Sequence, residues 1–139
     1  MRRLTQSLVA LVVYMMLAVP VHAFELPKPK LIAVYFWSSY CPNCKILTPQ
    51  LIEARKVLDT KDVLFVTLDL SDSATIHQST MLASTLGIAP FVQAQGSATG
   101  YVAVLKADKK TELARFDRSH KTAHIVAVIE KLLGEPPAK

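Results

Sequence analysis

The sequence predicts an α/β domain in the order β-α-β-α-β-β-α, with a central mixed sheet and helices on both faces. Two short runs rich in strand formers, the continuously apolar Leu31 to Phe36 and the largely apolar Val63 to Asp69, stand on either side of a helix-period stretch. Strands joined across a helix in this way are expected to lie parallel, with a right-handed crossover. A hairpin pattern and a final amphipathic segment then follow, which adds antiparallel strands and a covering helix.

The 139 residues suit one domain, and their 51% hydrophobic content is unevenly spread. Much of the excess sits at the start. Arg2 and Arg3 precede an apolar run from Leu8 to Val19, and Val21-His22-Ala23 closes it with small residues. This is the layout of a secretory signal peptide over residues 1–23, cleaved after Ala23. An uncleaved anchor is the rival reading, but the run is shorter than the roughly 20 residues a spanning helix needs. Residues 24–30, with Pro27 and Pro29, read as an extended lead-in to a domain over residues 31–134, and residues 135–139 as a tail.

Within the domain, Leu31 to Phe36 reads as a strand buried on both faces. From Pro42 to about Leu58, the residues Ile46, Leu47, Leu51, Ala54, Val57 and Leu58 recur at helical spacing. Val63 to Asp69 reads as a second buried strand. Ser71, Asp72 and Ser73 offer caps for a helix ending near Gly87. Residues 88–99, carrying Pro90 and Gly96, read as one long connection, a length that is uncommon and often functional. Tyr101 to Lys106 and Thr111 to Phe116 form the hairpin. Thr122 to Leu133 places Ile125, Val128, Ile129 and Leu132 on one helical face, with Gly134 beyond it.

Charge gives no sign of a nucleic-acid partner. Loss of residues 1–23 removes Arg2 and Arg3 and no acidic residue, which lowers the net charge from +5 to +3. The remaining basic residues are interspersed with Asp and Glu, as on an ordinary solvated surface.

The chemistry concentrates in Trp37-Ser-Ser-Tyr-Cys-Pro-Asn-Cys-Lys45, which joins the first strand to the first helix. Cys41 and Cys44 lie one turn apart, close enough to form a disulfide. At a helix N-terminus the unpaired N–H groups favour a thiolate at Cys41, Pro42 presets the first turn, and Lys45 adds a cation. Cys41, at the exposed end, is expected to be the nucleophile, and Cys44, one turn further in, the resolving thiol. A purely structural bridge would constrain the unfolded chain little, because the loop it closes is so short. A zinc site wants four ligands, and His77, His120 and His124 show no evident ligand spacing, so no metal is expected.

These residues resemble the thioredoxin family over about Leu31 to Leu133. The likeness rests on Trp37 four places before the first cysteine, on Cys41-Pro42-Asn43-Cys44 with Lys45 after it, and on Pro49 inside the following helix. The resemblance implies a thioredoxin-like fold and dithiol–disulfide exchange with protein substrates, without a bound cofactor. Combined with the signal peptide, it is similar to the exported members that serve the bacterial envelope, with a membrane electron donor as a candidate partner. It puts substrate contacts at Trp37, Tyr40, Pro42, Asn43, Thr99 and Gly100.

Two positions depart from the family pattern. Tyr35 stands six places before Cys41, where the family usually has a buried aspartate. Gly100, preceded by Thr99, aligns with the family's cis-proline, while Pro90 lies too far upstream. A proline at Gly100 is therefore expected to alter exchange more than stability. A reducing or isomerising periplasmic oxidoreductase is the leading reading. The alternatives are a thioredoxin-like binding or assembly module without turnover, and a metal-handling protein that uses the cysteine pair as soft ligands.

Overall fold

The computed structural model describes residues 28–108 and 111–134. The expected signal peptide, most of the lead-in and the tail lie outside the described residues. Among the described residues, no helix is long and apolar enough to cross a membrane.

The elements run β1 (Leu31–Trp37), α1 (Pro42–Val57), β2 (Val63–Asp69), α2 (Ser73–Thr85), α3 (Ala89–Gln95), β3 (Tyr101–Lys106), β4 (Glu112–Asp117) and α4 (Thr122–Leu133). The strands form one mixed sheet in the order β2-β1-β3-β4. β1 pairs parallel with β2 and antiparallel with β3, and β3 pairs antiparallel with β4 across an irregularity at Val104/Leu105. This is the thioredoxin-like α/β architecture that the sequence predicts.

β1 is central and buried along nearly its whole length, so alternation sends its side chains to two separate cores. Leu31, Ala33 and Tyr35 pack with Leu47, Leu51 and Ala54 of α1 and Ile125 and Ile129 of α4. Ile32, Val34 and Phe36 pack on the opposite face with Ala83 of α2, Ile88 and the partly buried Phe91 and Val92 of α3. Helices therefore cover both faces.

Two expectations need correction. Residues 88–99 are not one irregular connection, because Ala89–Gln95 forms the short helix α3, with Pro90 in its first turn. Proline is tolerated there because its missing N–H would have no helical partner anyway. Gly96 ends the helix at a φ of 63°, and Arg115 of β4 anchors its end by donating to Gln95 Oε1 at 2.9 Å. The second correction concerns β2, which was expected to be buried on both faces. It lies at the sheet edge, where Leu64 and Thr67 are exposed and Val63 and Phe65 only partly covered. A continuous apolar run marks a strand but does not place it in the sheet.

Candidate active site

Cys41 is the N-cap of α1, with an extended backbone, and Pro42 is the first helical residue. The Cys44 N–H donates to Cys41 Sγ at 3.2 Å, so the first sulfur takes the place usually held by a capping oxygen. The two cysteines are unbridged. Cys44 is 0% exposed and Cys41 only 7%, so the order of access is as expected although Cys41 is more covered than its place at the helix end suggested.

The surroundings drive the two thiols apart. Burial pushes Cys41 up, but hydrogen bonds from the Cys44 thiol, the Thr99 side chain and the Cys44 and Asn43 backbone N–H groups outweigh it. Its pKa falls below the ordinary thiol value. Lys45, expected to contribute as a cation, is exposed and is not among these contacts. Burial raises Cys44, as does its bond to Cys41, while the Ser38 backbone and the Tyr35 hydroxyl act in the opposite direction. The Cys44 thiol also lies 3.9 Å from the Phe36 carbonyl as a donor.

The segment before the cysteines is pinned to the loop after β2. Leu70 N–H donates to the Trp37 carbonyl at 2.8 Å, Ser39 N–H to Ser71 Oγ at 2.9 Å, and the exposed Tyr40 hydroxyl to the Leu70 carbonyl at 3.1 Å. Ser38 is the exception in this loop. Its buried Oγ has no hydrogen-bond partner among the described residues, a defect that typically costs about 1–3 kcal/mol.

Gly100 faces the cysteine pair, as its alignment suggested. A Cβ there would lie 2.7 Å from Asn43 Cβ and 3.1 Å from Cys41 Sγ, so only a glycine lets this backbone come so close. Its φ is +93°, and its N–H donates to the Phe36 carbonyl at 2.8 Å. All peptide bonds among the described residues are trans. The expectation that proline at this place would spare stability is therefore overturned. Proline requires a φ near −65° and has no N–H to give.

The remaining candidates divide by position. Pro42 is exposed, and Asn43 and Thr99 are partly buried beside Cys41. Trp37 is partly buried and lines a cleft of about 370 Å³ with Tyr35, Thr48, Leu51, Ile52, Arg55, Thr67 and Asp69. Sequence reasoning missed the hydroxyl cluster in this cleft. The Tyr35 hydroxyl donates to the Cys44 carbonyl at 3.2 Å and lies 2.9 Å from Thr48 Oγ1, which donates to the same carbonyl at 2.7 Å. Strand alternation was the available signal, since it turns Tyr35 toward α1. Among the described residues no group of three or more His, Cys, Asp or Glu side chains is placed to hold a metal ion.

Residues 29–93 match the protein family described as Thioredoxin-like. No curated protein sequence matches the chain significantly. Among solved structures, thioredoxin-2, described as a component of malaria parasite protein secretion machinery, superposes with a TM-score of 0.50 at 21% identity, covering 80% of this chain and 90% of its own. Thioredoxin f2 of Chlamydomonas reinhardtii gives a TM-score of 0.48 at 20% identity, over 83% of this chain and 87% of its own. Identities this low speak only of fold. The chain has a thioredoxin-like α/β fold, and the segment that matches the thioredoxin-like family is the one that carries Cys41 and Cys44.

Proposed function

We propose that this protein is a thiol–disulfide oxidoreductase that exchanges disulfides with protein substrates. The observation that carries the reading is the asymmetry of the pair: Cys41 caps the helix with a lowered pKa, while Cys44 is fully buried with a raised one. A structural bridge has no need of that difference, whereas stepwise exchange does. The Cys41 thiolate attacks a sulfur of the partner's disulfide, forming a mixed disulfide and releasing the other partner sulfur as thiolate. Cys44 then loses its proton and attacks Cys41 Sγ. This closes the Cys41–Cys44 bond and frees the second partner thiolate. The partner gains two electrons, the pair loses two, and the steps reverse for an oxidising reaction.

Trp37, Tyr40, Pro42, Asn43, Thr99 and Gly100 are the proposed contacts for substrate backbone and side chains. Val21-His22-Ala23 supports export to the periplasm with removal of residues 1–23, and a membrane protein is the proposed electron donor. The small fold, with no large inserted helical domain among the described residues, favours reduction or isomerisation over bulk oxidation.

Cys44→Ala tests the reading. Without its resolving sulfur, the mixed disulfide has no internal exit and is expected to accumulate as higher-mass bands in periplasmic extracts that vanish on reduction. Adding Cys41→Ala is expected to abolish them. If Cys44→Ala traps nothing and the double variant remains fully functional in cells, a binding module without turnover replaces the enzyme.

A further inference from the structure

Two histidines are held side by side where β4 leads into α4. His120 lies in the turn before the helix and His124 in its first turn, so helical spacing does not pair them in the sequence, but the fold does. Their ring centroids are 5.2 Å apart, with the planes inclined by 38°. Both rings stand edge-on to Phe116, at 5.5 and 6.3 Å, and Phe116 is fixed in the core at 1% exposure. The turn is also clamped to α1, because the Thr122 N–H donates to Gln50 Oε1 at 3.0 Å.

We propose that His120 and His124 bind a divalent copper ion through one ring nitrogen each, with water filling the remaining positions. With metal–nitrogen bonds of about 2.0–2.1 Å, two imidazoles in adjacent coordination positions place their ring centres about 4.5–5.2 Å apart. The observed separation stands at the upper end of that span, so a small side-chain rotation suffices. His124 is exposed, and among the described residues no hydrogen bond engages its ring nitrogens. His120 is half-buried and has one nitrogen already committed. Asp117 presents its Oδ1 to Nδ1 at 3.0 Å and its own N–H at 3.1 Å, with Ser119 Oγ at 3.3 Å. A metal on Nε2 uses that nitrogen's lone pair, so Nδ1 carries the hydrogen and donates to Oδ1. A carboxylate behind a ligating histidine in this way orients the ring and strengthens it as a donor. The Ser119 hydroxyl and N–H both donate to the Asp117 carboxylate and push its pKa down to about 2, so it stays charged.

The donor set selects the metal. Among the described residues no third His, Cys, Asp or Glu joins the pair, which falls short of the three or four protein ligands that zinc usually takes. Cu2+ heads the affinity order of first-row divalent ions at nitrogen ligands and suits tetragonal sets of nitrogen and oxygen donors. Arg118 and Lys121 are exposed, so solvent and salt screen their charges, and the Asp117 carboxylate offsets one of them. The site lies at the same end of the sheet as the cysteines, since Asp117 pairs with Tyr101, the neighbour of Gly100. It does not depend on the exchange reading.

The test removes the thiols, which would otherwise compete for copper. Protein carrying Cys41→Ser and Cys44→Ser, purified without a histidine tag, is titrated with Cu2+ at micromolar concentration. One equivalent is expected to bind, with electron paramagnetic resonance showing nitrogen coupling from two imidazoles. His120→Gln and His124→Gln are each expected to weaken binding at least about tenfold, since each leaves a single imidazole. His77→Gln, which changes an isolated exposed histidine of α2, is expected to bind as the parent does. Far-ultraviolet circular dichroism checks the fold, and the exposed His124→Gln decides alone should His120→Gln unfold. Parent-like affinity in His124→Gln, coupling from fewer than two nitrogens, equal weakening in His77→Gln, or no bound copper overturns the site.

Discussion

Cys41 and Cys44 are the same residue type three positions apart, yet their surroundings shift the two thiols in opposite directions. What lowers Cys41 is a set of donors aimed at one sulfur, and one of these, Thr99, comes from a loop more than fifty residues away. Removing that donor should therefore raise the Cys41 pKa while leaving the helix end intact. Cys41 reacts as the thiolate, so its alkylation rate should climb with pH to a midpoint below the roughly 8.5 of a free thiol. In Thr99→Val that midpoint is expected to move up, read from iodoacetamide labelling of the Cys44→Ala background. An unmoved midpoint would mean that the backbone N–H groups alone set the thiolate.

At the scale of elements, the site is where two chain segments meet. The first turn of α1 presents both sulfurs, and the segment just before β3 lays Gly100 against them. Gly100 sits at φ +93°, a region where a side chain is strained by about 1–2 kcal/mol, and its missing Cβ would overlap Asn43. Gly100→Ala is therefore expected to lower stability by at least that amount in denaturant unfolding, and also to slow exchange by displacing Asn43. Gly100→Pro is expected to be worse, since it also loses the bond to the Phe36 carbonyl. Parent-like unfolding of Gly100→Ala would show that the loop runs elsewhere. α2 begins independently of the site, with Asp72 accepting from Ala74 and Thr75 N–H in a reciprocal capping box.

Across the whole molecule, the two cores on either side of β1 hold the sheet and helices together, and neither depends on a bridge between the cysteines. The loop that a Cys41–Cys44 bond would close is a single helical turn at one end of the sheet, so oxidation constrains the unfolded chain little. Purified protein is expected to pass between dithiol and disulfide with two thiols gained or lost and an almost constant far-ultraviolet circular dichroism spectrum. Collapse of that spectrum on reduction would mark the bridge as structural. One edge of the sheet is β2, whose exposed residues include Leu64. Edge strands of this kind are templates for further pairing.

The sequence by itself determined what local chemistry controls. Helical spacing and Pro42 located α1 and its start, period-two and continuous apolar runs located the strands, and Cys41 and Cys44 stood out because their spacing is that of one helical turn. Short-range rules reach that far because they act through neighbouring backbone groups. They missed α3, whose Ala89–Gln95 stretch is only seven residues long and gains its helical form by packing Phe91 and Val92 beside Phe36 and Ile88. They also read β2 as a buried strand, since hydrophobicity along a strand says nothing about which neighbour it lacks. Only the tertiary structure brought Thr99 and Gly100 to Cys41 and stacked Tyr35 and Thr48 under Cys44. The approach of Thr99 and Gly100 to Cys41, across more than fifty residues, follows from strand order and crossover, which no local pattern encodes.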